Sequence, residues 1–92
     1  NYACDRMKEI TVLATNEVGS LAAVAEALGN AGVNIETISA YAVDGGAMFR
    51  FITTDPKTSM SVLSKLQNVK NIGENEVLIV RLINRPGELG KI

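Results

Sequence analysis

Side chains that most often carry covalent or acid–base chemistry are sparse in this sequence. It has no histidine and a single cysteine, Cys4, and its carboxylates are scattered without the pairing or nucleophile–base spacing that catalysis requires. One thiol forms no internal disulfide, and without histidine or a CxxC pair a zinc or copper site has no ligands. Neither an enzyme activity nor a metal nor a cofactor is therefore expected. The candidates that remain are amides and backbone groups. Asn16-Glu17-Val18-Gly19-Ser20-Leu21 stands between an alternating apolar stretch and a helical one. The first turn of a helix presents unpaired N–H groups and a partial positive charge that suit a carboxylate. Gly19 lets a ligand or the preceding strand approach the backbone closely, and Asn16 and Asn34 each offer amide donors and a carbonyl acceptor. Each has a plainer role as well: Asn16 as N-cap, Gly19 in helix packing, Asn34 in satisfying the backbone of a turn. Glu17 and Ser20 are weaker candidates, Arg50 reads as a surface charge and Tyr41 as a packing residue.

The elements that must position these residues follow from periodicity. Ile10, Val12 and Ala14 alternate within residues 9–15 and predict a strand. Leu21, Val24, Ala25 and Leu28 recur at helical spacing and predict a helix over 17–31, closed near Gly29 and Gly32. Residues 34–43 and 47–53 read as strands joined at Asp44-Gly45-Gly46, a sequence suited to a tight hairpin. In the second of these, Ala47, Phe49 and Phe51 share one face, while Met48 and Ile52 fall on the other, which is expected to serve as an interface. Asp55-Pro56 opens a second helix that should end near 68–71, with Met60, Leu63 and Leu66 or Val62, Leu66 and Val69 as its inward stripe. Residues 76–83 form a final apolar strand. The order β-α-β-β-α-β predicts an α+β, ferredoxin-like sandwich: a four-stranded antiparallel sheet with two helices on one face.

Composition narrows the classes further. At 92 residues the chain suits one domain, burying only about 60–65% of its unfolded surface, so a partner would add stability. Nine basic and ten acidic residues nearly cancel, which removes the electrostatic footprint of a nucleic-acid binder. No apolar run approaches the roughly 20 residues of a membrane span, no secretory leader is visible, and a reducing cytoplasm suits the cysteine usage. Residues 1–6 read as flanking sequence ahead of Met7.

A repeat is visible at a spacing of 68 residues. It brings Asn16, Gly19 and Leu21 onto Asn84, Gly87 and Leu89, and Ile10, Val12 and Ala14 onto Leu78, Val80 and Leu82. That spacing is one βαββαβ unit; the alternative is a closing strand followed by a short tail. The expected organisation is one unit over residues 7–76 and the opening of a second over 77–92, the native chain continuing for about another 50 residues.

The strand, the hexad at Asn16–Leu21, the helix rich in small apolar residues and the following Ala31-Gly32-Val33-Asn34-Ile35 together resemble the ACT domain. The second hexad, Asn84-Arg85-Pro86-Gly87-Glu88-Leu89, is closer to that pattern, with proline before the glycine where the first has Val18. The resemblance covers residues 7–82 as a whole unit and 77–92 as a partial one. It implies a regulatory module that binds a free amino acid and modulates an enzyme or pathway of amino-acid metabolism. It also implies a ligand held between the loop of the first helix and the start of the second strand, often across a homodimer interface. Carried onto this sequence, the ligand-binding residues are Asn16, Val18, Gly19, Ser20, Leu21, Asn34 and Ile35, with Asn84, Pro86, Gly87 and Leu89 as second-copy equivalents.

Other modules of this topology fit less well. The glycine-rich anion loop of an acylphosphatase is missing after the first strand. The sheet lacks the basic aromatic platform of an RNA-recognition module, and a metallochaperone would need two cysteines in the first loop. The alternative that stays open is an ACT-like module that only pairs subunits and takes no ligand.

Overall fold

The computed structural model describes residues 2–15 and 17–82. Six elements follow in order: β1 (Tyr2–Ala14), α1 (Glu17–Asn30), β2 (Ile35–Val43), β3 (Gly46–Thr53), α2 (Pro56–Leu63) and β4 (Val69–Leu82). The strands form one antiparallel sheet in the order β2-β3-β1-β4. This is the expected ferredoxin-like βαββαβ arrangement.

The alternation in β1 places Ile10, Val12 and Ala14 beneath the helices, all fully buried. Ala47, Phe49 and Phe51 of β3 join them in the register Ile10↔Phe51, Val12↔Phe49 and Ala14↔Ala47, and Val24, Leu28 and Leu63 close the cluster from the helix layer. At the β2–β3 hairpin, Asp44-Gly45 forms a two-residue turn with Gly45 at φ +79°. Gly46 then passes so close to β1 that a Cβ there would run into the Ala14 carbonyl. α2 starts on an Asp55 cap, whose carboxylate accepts from the Thr58 N–H at 3.1 Å and from the Thr58 hydroxyl at 2.6 Å. Beneath it the buried Ser59 hydroxyl donates to the Asp55 carbonyl and accepts from Thr53 Oγ1, both at 2.8 Å.

Several boundaries and faces differ from the sequence reading. The inward stripe of α1 runs through Ser20, Val24 and Leu28, whereas Leu21 and Ala25 face out. α2 stops at Leu63, because the chain turns at Ser64 instead of carrying Met60 and Leu66 on as one helix. Ile52 is only 4% exposed, while Met48 on the same face is half-buried. Residues 2–6, read as flanking sequence, are strand: β1 begins at Tyr2 and pairs with β4 out to Tyr2↔Leu82. β4 in turn begins at Val69, seven residues before its apolar run, and Lys70, Asn71, Glu74 and Asn75 hid that half from a pattern search. Such residues suit an edge strand. Ion pairs link the two long strands, Lys8–Glu74 at 3.6 Å, Arg6–Glu76 at 3.7 Å and Arg81–Asp5.

Candidate ligand-binding site

The leading turn of α1 is held in place by a residue that the sequence did not single out. Asn68, in the turn before β4, accepts from the Thr15 N–H through its carbonyl at 3.0 Å and donates its side-chain amide to Ser20 Oγ at 2.9 Å. One residue thus grips both the end of β1 and the first turn of α1. Ser20 is fully buried, and its hydroxyl serves this junction. Gly19 and Leu21 remain accessible on the turn. Asn16 and Asn84, Pro86, Gly87 and Leu89 lie outside the described residues, as does the side chain of Val18.

The second group of candidates sits elsewhere. Asn34 donates its backbone N–H to Thr54 Oγ1 at 3.1 Å and accepts from the Thr54 N–H at 3.0 Å, leaving its exposed side chain uninvolved in that clamp. Ile35 follows, half-buried opposite Thr53. Between the two groups lies α1 with its 14 residues, about 20 Å of helix at 1.5 Å per residue. The sheet gives the same separation. Ile35 is level with Thr53 and the α1 start with Ala47, a span of about 20 Å at 3.3 Å per strand residue. The sequence-predicted residues are therefore not brought together within one chain, because β2 begins at the end of the sheet opposite the start of α1. No single amino acid bridges that distance.

A groove does connect toward the α1 turn. Leu21, Ala22 and Ala25 of α1 and Ala40 and Ala42 of β2 form its walls, with Ala47 and Phe49 at its floor, and it encloses about 580 Å³. It exists because β2 is an edge strand that the helix layer does not reach. Residues 36–42 are all exposed, including Ile38 and Tyr41 at about half of their surface. On the opposite face of the sheet, Arg50 is committed to Glu9, donating through Nη2 at 2.8 Å and Nε at 3.0 Å. The hydrogen bond and the charge of Glu9, with a smaller contribution from Tyr41, hold the Arg50 pKa above its ordinary value. Arg50 is therefore an ion-pair partner and not a spare anion clamp. Among the described residues no group of three or more His, Cys, Asp or Glu side chains is placed to hold a metal. No helix among them is long and apolar enough to cross a membrane.

The same fold is found in solved structures. A Bacteroides thetaiotaomicron protein superposes with a TM-score of 0.70 at 22% identity, over 96% of this chain and 60% of its own. Aspartokinase alpha and beta subunits superpose at 0.74 and 20% identity, over 99% and 68%. The ligand-free regulatory subunit of aspartate kinase from Thermus thermophilus superposes at 0.61 and 18% identity, over 85% and 54%. The chain thus spans about three fifths of the first of these and about half of the third. No curated protein sequence matches it. The ACT-domain profile matches residues 8–71, from the core half of β1 into the start of β4, and the chain belongs to the ACT domain family.

Proposed function

We propose that the chain is a regulatory module that binds a free amino acid between two copies of itself and passes the occupancy on to an enzyme of amino-acid metabolism. The observation that carries this reading is the 20 Å or so between the leading turn of α1 and Asn34, taken with the exposed β2 edge. An unpaired edge strand is a template for another strand. Antiparallel pairing of β2 with the β2 of a second copy, about a two-fold axis, sets the start of one β2 beside the end of the other. Asn34 and Ile35 of one protomer then come to the α1 turn of its partner. Each ligand meets the positive end of α1 on its carboxylate side and the Asn34 side-chain amide oxygen on its ammonium side. The apolar walls at Leu21, Ala22, Ala40 and Ala42 exclude water around its side chain or are covered by the second copy.

Regulation then follows from differential affinity: the amino acid fits one arrangement of the two protomers better and shifts the population toward it. The likeness in fold to a regulatory subunit of aspartate kinase favours a partner enzyme of that metabolic class, and the single cysteine suits a reducing cytoplasm. The apolar character of the groove also favours a second reading, in which the module only pairs subunits. Thermal unfolding of the chain with each common amino acid separates the two, since a ligand at about 100 times its dissociation constant adds roughly 2.7 kcal/mol. A raised midpoint for one amino acid or a small related set is expected. A dimer by equilibrium sedimentation with no response to any of them would leave the pairing role alone.

A further inference from the structure

β2 sorts its side chains by chemistry although both of its faces are exposed. In register with β3, Ile38, Ala40 and Ala42 lie opposite Phe51, Phe49 and Ala47 on the helix side of the sheet, while Thr37, Ser39 and Tyr41 lie opposite Ile52, Arg50 and Met48 on the other side. All of residues 37–42 are exposed, so contact with water does not explain why the hydroxyls keep to one face and hydrocarbon alone occupies the other.

That hydrocarbon face is one wall of the groove of about 580 Å³, and Ala22 and Ala25 of α1 stand across from it. Among the described residues no charged, amide or aliphatic hydroxyl side chain lines the groove. Tyr41 borders it with its ring, but its register with Met48 and its part, smaller than that of Glu9, in raising the Arg50 pKa place its hydroxyl toward the other face. Arg50 itself is engaged there with Glu9. Alanines on both walls make room: Ala22 and Ala25 on one, Ala40 and Ala42 on the other. Contacts between protein chains favour large anchors such as Tyr, Met and Arg and are depleted in alanine, whereas a pre-formed cleft of a few hundred Å³ lined mainly by hydrocarbon is the usual form of a small-molecule site. The groove also begins at the right place. Leu21 belongs both to its wall and to the leading part of α1, and Ala47 on its floor is level with the start of that helix.

We propose that the effector is an α-amino acid with a hydrocarbon side chain of several carbons, which lies in the groove between Ala22 and Ala25 of α1 and Ala40 and Ala42 of β2. The inference rests on the amino-acid-binding reading and names the class of effector within it. A lysine, glutamate or glutamine side chain laid there would leave water for walls that offer no polar partner, so the loss of its hydration is not offset. A hydrocarbon chain instead gains with each carbon that it buries.

Calorimetric titration of the chain with alanine, 2-aminobutyrate, norvaline and norleucine tests this, because the series grows by one methylene at a time while its charged ends stay the same. Affinity should rise about four-fold per methylene and about 60-fold over the series, with a heat-capacity change of binding that becomes more negative at each step. Lysine, which is norleucine carrying a terminal ammonium group, and glutamate should each bind at least about ten-fold more weakly than norleucine. Ala25→Leu fills the groove without adding a charge and should flatten the rise beyond 2-aminobutyrate. Ala40→Leu does the same from the opposite wall and serves should the first variant fail to fold. An affinity that stays level along the series, or tighter binding of lysine or glutamate, would overturn the proposal and leave amino-acid binding standing. An unaltered rise in both folded variants would place the side chain outside the groove and overturn it as well. Binding of none of these nor of the other common amino acids would overturn both readings.

Discussion

Asn68 donates its side-chain amide to Ser20 Oγ at 2.9 Å, across 48 residues of sequence, and so fastens the turn before β4 to the leading turn of α1. The Asn68 carbonyl meanwhile accepts from Thr15, which fixes the path of the chain between β1 and α1 from both sides. Asn68→Ala keeps the carbonyl and loses the amide, so it should lower stability by about 1 kcal/mol. It should also weaken amino-acid binding by loosening the leading turn of α1. Urea unfolding and calorimetric titration of the same variant check the two effects, and Ser20→Ala should reproduce both.

Asn34→Ala separates binding from folding. The clamp to Thr54 uses only the Asn34 backbone, so stability should change by no more than about 0.5 kcal/mol, as for an exposed site. Losing a hydrogen bond to a charged ligand group costs about 1.5–3 kcal/mol, which reads as a roughly ten- to hundred-fold weaker dissociation constant by titration. An unchanged affinity would remove Asn34 from the site.

Two leucines about two turns apart on α1 should respond in opposite ways. Leu28 is fully buried in the core, and Leu28→Ala should destabilise the chain by about 2–5 kcal/mol, enough to leave it largely unfolded near its working temperature. Leu21 is 37% exposed on the groove, so Leu21→Asp should keep the monomer's circular dichroism and shift the sedimentation equilibrium toward monomer.

The Asp55 cap makes part of the stability pH-dependent. Hydrogen bonds from the Thr58 hydroxyl and N–H hold the Asp55 pKa below the ordinary carboxylate value. A depressed folded-state pKa contributes stability that is fully present above the unfolded-state value and is lost as pH falls through the folded-state one. The thermal midpoint should therefore decline on acidification through and below the usual carboxylate range. Asp55→Asn, which keeps a side-chain oxygen for the cap without a titrating proton, should flatten that part of the profile.

Much of the fold is legible because its core is written in short-range alternation. Ile10, Val12 and Ala14 announce a covered strand, Ala47, Phe49 and Phe51 announce its neighbour, and Asp44-Gly45-Gly46 announces the turn that brings β2 and β3 together. The ends of β1 and β4 carry no such pattern. Asp5, Arg6, Lys8, Asn71 and Glu74 read as loop, and they become strand only because each finds a partner 58 to 74 residues away. Side-chain volume alone also misleads on α1. Leu21 and Ala25 suit the helical stripe as well as Ser20 does, but the serine is turned inward by the Asn68 amide, and the more apolar pair is left at the groove. The candidate site was legible in its residue types and not in its assembly. Even so, the separation was available beforehand, since a helix placed between Leu21 and Asn34 must set them about its own length apart.

That intervening helix has a consequence for dosage. If the two halves of each binding pocket come from different chains, a lone chain offers the metabolite only half of its contacts. Occupancy then becomes a three-body equilibrium, in which the effector promotes self-association and self-association sharpens the response. The half-saturating effector level would fall as expression rises, so a cell could retune its sensor by changing how much of it is made, without altering a single contact.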